Sequence, residues 1–180
     1  MSRPPLRYTI DEAQAAADAW GFNCGPGALT AVLGMTPDEL RPHLGDFEQR
    51  GYTNPSLMAA ILRRLNVPFQ RVFESAVDPG ARPVVWPRFG LVRIQWSGPW
   101  TKPGVPMAAR YRHTHWIGVD DSGPVRMIFD VNAICDGGWL TWREWECQLV
   151  PWLLRECCPK ADGRWWPTHC WPLEIKGASR

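Results

Sequence analysis

The sequence predicts an α+β domain, and three observations point there. Helix-start signals cluster in the first third of the chain. Thr9, Thr36 and Asn54 each precede a helical pattern, and Pro37 and Pro55 take first-turn positions. Apolar, strand-like runs come later, over residues 91–96, 115–119 and 125–130. Helices first and strands after is the order of a segregated α+β fold, not of alternating βα units.

The elements follow in order. Thr9 caps a helix that runs through Ala13, Ala15, Ala16, Ala17 and Ala19 to Trp20 and ends at Gly21. A second helix runs from Gly25 to about Leu33. Thr36-Pro37-Asp38-Glu39-Leu40 and Asn54-Pro55-Ser56-Leu57 start two more. Residues 69–73 read as a strand. Residues 78–87, with three prolines, read as a loop, as do the Gly- and Pro-rich residues 97–106. Thr141 caps a short helix over Trp142-Arg143-Glu144-Trp145. Residues 1–150 are expected to form the main domain, and 151–180 a Trp- and Cys-rich C-terminal extension.

The stretch with most chemistry in it is Asn23-Cys24-Gly25-Pro26-Gly27-Ala28-Leu29. Pro26 suits a first helical turn, so Cys24 is expected at a helix N-terminus. There, unpaired N–H groups and the helix dipole favour an anion. A thiol so placed ionises more readily, which a nucleophilic cysteine requires.

A nucleophile needs a base, and the base an orienting group. His115-Trp116-Ile117-Gly118-Val119 and Val125-Arg126-Met127-Ile128-Phe129-Asp130 read as strands joined by Asp120-Asp121-Ser122-Gly123-Pro124. A turn centred on Ser122 and Gly123 makes His115 and Asp130 direct cross-strand partners, with Cβ atoms about 4.5–5.5 Å apart. That pair could serve as base and orienter of a triad. In the same register His113 meets Asn132, which is a second workable pair. Asp120, Asp121 and Asp136 read as solvated turn residues.

The order Cys24, His115, Asp130 resembles that of the papain-like cysteine peptidases. It is most similar to their bacterial branch, the double-glycine leader peptidases of bacteriocin exporters and their stand-alone relatives. The matching residues are Asn23 to Ala28, His115 to Val119, and Phe129-Asp130. Gly51-Tyr52-Thr53-Asn54-Pro55 and the helix after it look like the family's second helix. Leu91 to Trp96 looks like the strand before the histidine strand. The resemblance spans roughly Tyr8 to Trp142. It implies a helical N-terminal half packed on an antiparallel sheet, with a cleft between them. It also implies a Cys24-His115-Asp130 triad, a thioester intermediate, a peptide or protein substrate and no cofactor. Where the family has an oxyanion-hole glutamine, about six residues before the cysteine, this chain has Asp18. An ionised Asp cannot donate, so Gln14 or Asn23 is expected to supply the amide, Gln14 ahead of Asn23. Trp100 and Trp116 are candidates to grip an apolar substrate group. An acyltransferase or amidase with the same triad, and an inactive binding module, are the alternative readings. The departure at Asp18 favours the inactive one.

Composition narrows the classes further. The net charge of +2 over 180 residues gives no polyanion-binding signature, so no nucleic-acid partner is expected. No apolar run approaches the roughly 20 residues of a membrane span, and Met1-Ser2-Arg3-Pro4-Pro5-Leu6 lacks a signal-peptide core. A cytoplasmic protein with six reduced cysteines is the expectation. Cys157, Cys158, His169 and Cys170 are ligand types suited to zinc, but their spacing fits no standard finger, and no metal site is assigned.

Overall fold

The computed structural model describes residues 5–21, 23–75 and 84–174. Five helices come first: α1 (Ile10–Trp20), α2 (Cys24–Leu33), α3 (Pro37–Leu40), α4 (Phe47–Arg50) and α5 (Pro55–Arg64). Strands β1 (Phe73–Glu74) and β2 (Phe89–Trp96) follow, then the short α6 (Met107–Arg110). Next come β3 (Thr114–Asp120), β4 (Met127–Phe129) and β5 (Trp139–Thr141). The chain closes with α7 (Trp142–Glu144), α8 (Val150–Glu156) and β6 (Trp165–Pro172). The strands form one antiparallel six-stranded sheet in the order β1-β6-β2-β3-β4-β5. The fold is α+β.

Local chemistry explains the helix boundaries. Thr9 accepts from the Glu12 N–H while Glu12 returns a bond to the Thr9 N–H, and the same reciprocal box starts α3 at Thr36 and α7 at Thr141. Asn23 and Asn54 cap α2 and α5 through their side-chain oxygens. Gly21 and Gly34 end α1 and α2 in the left-handed conformation that glycine adopts at little cost.

The core has two parts, one on each face of the sheet. Residues of α1 to α5 join Leu91, Trp116, Phe129 and Trp171 in one cluster. On the other face, Val92, Ile94, Ile117, Val119 and Ile128 pack with Trp145, Val150 and Leu153. Here Trp86, Trp142, Trp145 and Trp165 meet edge to face or tilted, and Arg126 lies over the rings of Trp86 and Trp142. The tryptophans are thus mainly packing.

Helix α2 is the central element. Every residue from Gly25 to Val32 is buried, and the helix lies on β3. Gly118 of β3 permits the approach: a β-carbon there would sit 2.7 Å from Val32 Cγ1.

Three sequence expectations need correction. First, the β3–β4 register is Gly118–Phe129, Val119–Ile128 and Asp120–Met127, so the hairpin is centred on Gly123 and Pro124 and not on Ser122 and Gly123. Asp120 accepts from the Ser122 N–H and hydroxyl, and Arg126 pairs with Asp121 at 2.7 Å; these bonds close a loop longer than a tight turn. Continued along this register, Asp130 falls opposite Ile117. His115 and Asp130 are therefore diagonal neighbours on one face, not direct partners. The shift is by two residues, so the shared face survives.

Second, residues 151–174 are not an appendage. The helix begun at α7 passes through a π-helical turn at Trp145–Leu149 and continues as α8. Pro151 has no N–H to give the preceding turn, and the widened turn absorbs that loss. Strand β6 then lies inside the sheet, bonded to both β1 and β2. Third, the strand expected over residues 69–73 is reduced to a single bridge, Phe69 to Leu173, and the two-residue β1 that begins at Phe73. The loop expected over residues 78–87 lies mostly outside the described residues.

Gly118→Ala should force Val32 off its seat and destabilise the protein by about 1–3 kcal/mol. Gly123→Ala, where a β-carbon meets nothing within 4 Å, should stay within about 0.5 kcal/mol. Urea unfolding of the two variants checks the difference.

Candidate active site

Cys24 is the first residue of α2, at the end where backbone N–H groups lack intrahelical acceptors. Asn23 holds that end in place. Its Oδ1 accepts from the Gly25 N–H at 3.2 Å, and its Nδ2 donates to the Gly51 carbonyl at 2.9 Å. The α2–β3 packing carries Cys24 to the start of β3. There the groups that act most strongly on its sulfur are the His115 side chain, by its charge and hydrogen-bonding capacity, and the Trp116 backbone N–H.

His115 is buried and pairs along the backbone with Ile94 of β2. Its Nε2 lies 2.9 Å from Asp130 Oδ1, within ion-pair distance but oblique for an aligned N–H···O bond. With Nε2 facing Asp130, Nδ1 is left for the sulfur.

Asp130 is fully buried, and its remaining acceptor capacity is filled. Oδ1 accepts from the Asn132 backbone N–H at 2.9 Å and from Asn132 Nδ2 at 2.7 Å. Oδ2 accepts from Trp145 Nε1 at 2.8 Å. A buried carboxylate requires such partners. Trp145 reaches it from the first residue of the π-helical turn.

The electrostatics follow from this packing. Burial alone would raise the Cys24 pKa, but the His115 charge, the bond to it and the Trp116 N–H together bring it below the ordinary thiol value. Burial alone would lower the His115 pKa, but Asp130 and Cys24 lift it well above 6.5. Burial would raise Asp130, yet His115, Trp145 and Asn132 hold it below the usual carboxylate range. Both shifts run towards a thiolate beside an imidazolium.

No family model, curated protein or solved structure matches this chain.

The other sequence-named residues are placed as follows. Gln14 is exposed on α1 and donates from Nε2 to Asp18 Oδ1 at 3.0 Å. Neither Gln14 nor Asp18 lines the cleft beside Cys24, whereas Asn23 does. The preference for Gln14 as oxyanion donor is corrected by this: α1 turns its side chain to solvent. Trp116 lines the cleft with its ring buried and its Nε1 donating to the Thr53 carbonyl at 2.8 Å. Trp100 does not line it. It donates to the Trp96 carbonyl and packs against His113 with ring centroids 4.1 Å apart and the rings tilted.

The rival pair His113 and Asn132 is not assembled. His113 precedes β3 in a left-handed conformation (φ 57°), and its Nδ1 lies 3.5 Å from Cys158 Sγ. Burial and Arg112 lower the His113 pKa, and burial raises that of Cys158, so this second thiol–imidazole contact stays neutral. Asn132 is committed to Asp130. Cys170 is buried, Cys157 is exposed, and among the described residues no group of three or more His, Cys, Asp or Glu could hold a metal ion.

Sequence reasoning missed Trp145, Arg93, Tyr111, Thr53 and His169. The last four line the cleft of about 740 Å³ that opens beside Cys24. Arg93 had a readable signal, as a charge inside the apolar run Leu91-Val92-Arg93-Ile94. Trp145 had none, since its role depends on a π-helical turn packed under the far face of the sheet.

A lowered thiol pKa keeps the thiolate as pH falls below the ordinary cysteine range, and a raised imidazole pKa keeps the imidazolium above 6.5. Iodoacetamide at about pH 6 should therefore modify Cys24 ahead of the exposed Cys135, Cys147 and Cys157. In His115→Gln the reactivity of Cys24 should lose that acid-range component, as followed by peptide mass mapping across pH. Trp145→Phe should destabilise the fold by about 1–3 kcal/mol, because a buried carboxylate oxygen loses its donor. Thermal or urea unfolding at neutral pH reads that loss.

Proposed function

We propose that this protein is a papain-like thiol hydrolase acting on a peptide or isopeptide bond. The observation that supports it is the placement of Cys24, at the N-terminus of α2, where a buried His115 backed by Asp130 acts directly on its sulfur. Nucleophile, base and orienter are in order, and their pKa directions suit an activated thiolate.

The Cys24 thiolate attacks the scissile carbonyl carbon, forming a C–S bond while the carbonyl π electrons move to oxygen. The Cys24 backbone N–H, free of any intrahelical acceptor, serves as one oxyanion donor, and the second amide hydrogen of Asn23, which lines the cleft, serves as the other. The imidazolium of His115 gives its proton to the leaving amine as the C–N bond breaks, which leaves a thioester. Neutral His115 then takes a proton from water, and hydroxide adds to the thioester. The C–S bond breaks, the acid product leaves, and the thiolate–imidazolium pair returns. Asp130 holds the ring and stabilises its charge throughout.

An activity-based electrophile for cysteine peptidases should label Cys24 and no other cysteine, and Cys24→Ser should abolish labelling. Asp130→Asn should cut the labelling rate by about 10²-fold or more, since the imidazole loses its orienter and counter-charge. Asn23→Ala should lower turnover on any substrate found by about 10²-fold, whereas Gln14→Ala should leave it unchanged. A Cys24 that resists every electrophile would replace this reading with a binding module. Capture of the thioester by an added amine in preference to water would make the protein an acyltransferase.

A further inference from the structure

Arg93 lies in β2 between Val92 and Ile94, both fully buried, and is itself only 5% exposed. Its Nη2 donates to Thr114 Oγ1 at 2.8 Å, and the Tyr111 ring lies 5.4 Å from its guanidinium carbon. The N–H groups on Nε and Nη1 are buried without a partner. Among the described residues no carboxylate pairs with it; the negative group that acts on it is the Cys24 thiolate. Other arginines differ: Arg50, Arg126 and Arg164, all more exposed, each contact an Asp. The buried ionisable residues His115 and Asp130 also contact each other. A buried cation without a counter-charge is costly in a folded chain.

Its surroundings suit an incoming anion. Arg93 and Cys24 both line the cleft, and among the described residues no Asp or Glu lines it. His169, the β6 partner of Arg93, lines it too, and burial with the charges of Arg93 and Arg71 drives its pKa down to about 4. It is therefore neutral near pH 7 and can share a hydrogen bond with an anion. Thr53 Oγ1, also on the cleft, is buried and unpartnered, and supplies a further donor.

We infer that Arg93 is a carboxylate-recognition residue beside the nucleophile, and that the cleft takes an acyl substrate carrying a carboxylate near the scissile carbonyl. This rests on Cys24 being the nucleophile, as proposed above. The planar guanidinium suits a carboxylate, which can accept from it in a bidentate manner. The carboxylate belongs either to an acidic side chain or to the end of a peptide chain; both present the same chemistry to Arg93.

The test uses the full chain and two alkylating agents that differ in charge, iodoacetate and iodoacetamide. In each, the sulfur forms a bond to the methylene carbon as iodide leaves. The iodoacetate-to-iodoacetamide rate ratio at Cys24, divided by the same ratio at exposed Cys157, should exceed one by roughly tenfold, the size of a charge-assisted hydrogen bond. Arg93→Met should bring that quotient to about one, and Arg93→Lys should retain part of it. A wild-type measurement covers the case in which these variants fail to fold. N-acetylglycine or N-acetyl-aspartyl methylamide should slow Cys24 alkylation, and their uncharged amides should not. Protection by the first assigns a chain-terminal carboxylate, and protection by the second an acidic side chain. A quotient of one or less together with no protection, while iodoacetamide still modifies Cys24, overturns this inference and leaves the nucleophile standing. Failure of both agents at Cys24 overturns the hydrolase reading and this inference with it.

Discussion

Everything at the site depends on how closely α2 lies against β3. The helix is buried on all sides from Gly25 to Val32, and its approach is set where glycine removes a side chain from the interface. A β-carbon at Gly25 would meet Thr53 Oγ1 at 2.3 Å, and one at Gly27 would meet Val131 Cγ2 at 3.1 Å. The same contacts that fill the core therefore set the position of the Cys24 sulfur relative to His115. A tightly packed interior transmits small shifts without absorbing them. Core packing and site geometry are one constraint here.

Asp130 is the second fixed point, and it works through satisfaction of its oxygens. A carboxylate with no solvent exposure persists only when its charge and lone pairs are matched. His115 supplies the charge, and Asn132 and Trp145 supply the remaining donors. Trp145 arrives from the far side of the sheet, at a π-helical turn just ahead of Pro151. Segments more than a hundred residues apart thus converge on one thiol–imidazole–carboxylate line, and the C-terminal region is part of its support. Strand β6 makes the same point, because it sits beside β2 and places His169 in the cleft.

The two kinds of buried charge in the molecule contrast. His115 and Asp130 form a closed pair, each bringing the other towards its charged form. Arg93 is left open, with its pKa lowered to about 10 by burial and only the thiolate to offset that cost. A closed pair suits machinery that must be ready before substrate arrives. An open cation suits recognition, because its desolvation is recovered when an anion binds.

Much of this protein was legible in the residues alone. Capping boxes and capping asparagines act within a single turn, so the starts of α1, α3, α5 and α7 could be read directly. The Asn23-Cys24-Gly25-Pro26-Gly27 run placed the cysteine at a helix N-terminus for the same local reason, and the α+β class followed from the order of elements. His115 and Asp130 could be nominated because a strand's period of two survives an error of two residues in register. The register itself was not legible, since Pro124 and the Asp121–Arg126 pair lengthen the loop through contacts between residues on either side of it. Gln14 lay one helical turn from Asp18, and only packing decided that α1 turns both to solvent. The course of residues 151–174, the Trp145 bond to Asp130 and the isolation of Arg93 came from the tertiary structure alone. Each is a property of which distant surfaces meet, and hydrogen-bond demand and exclusion of water settle that only once the whole chain has packed.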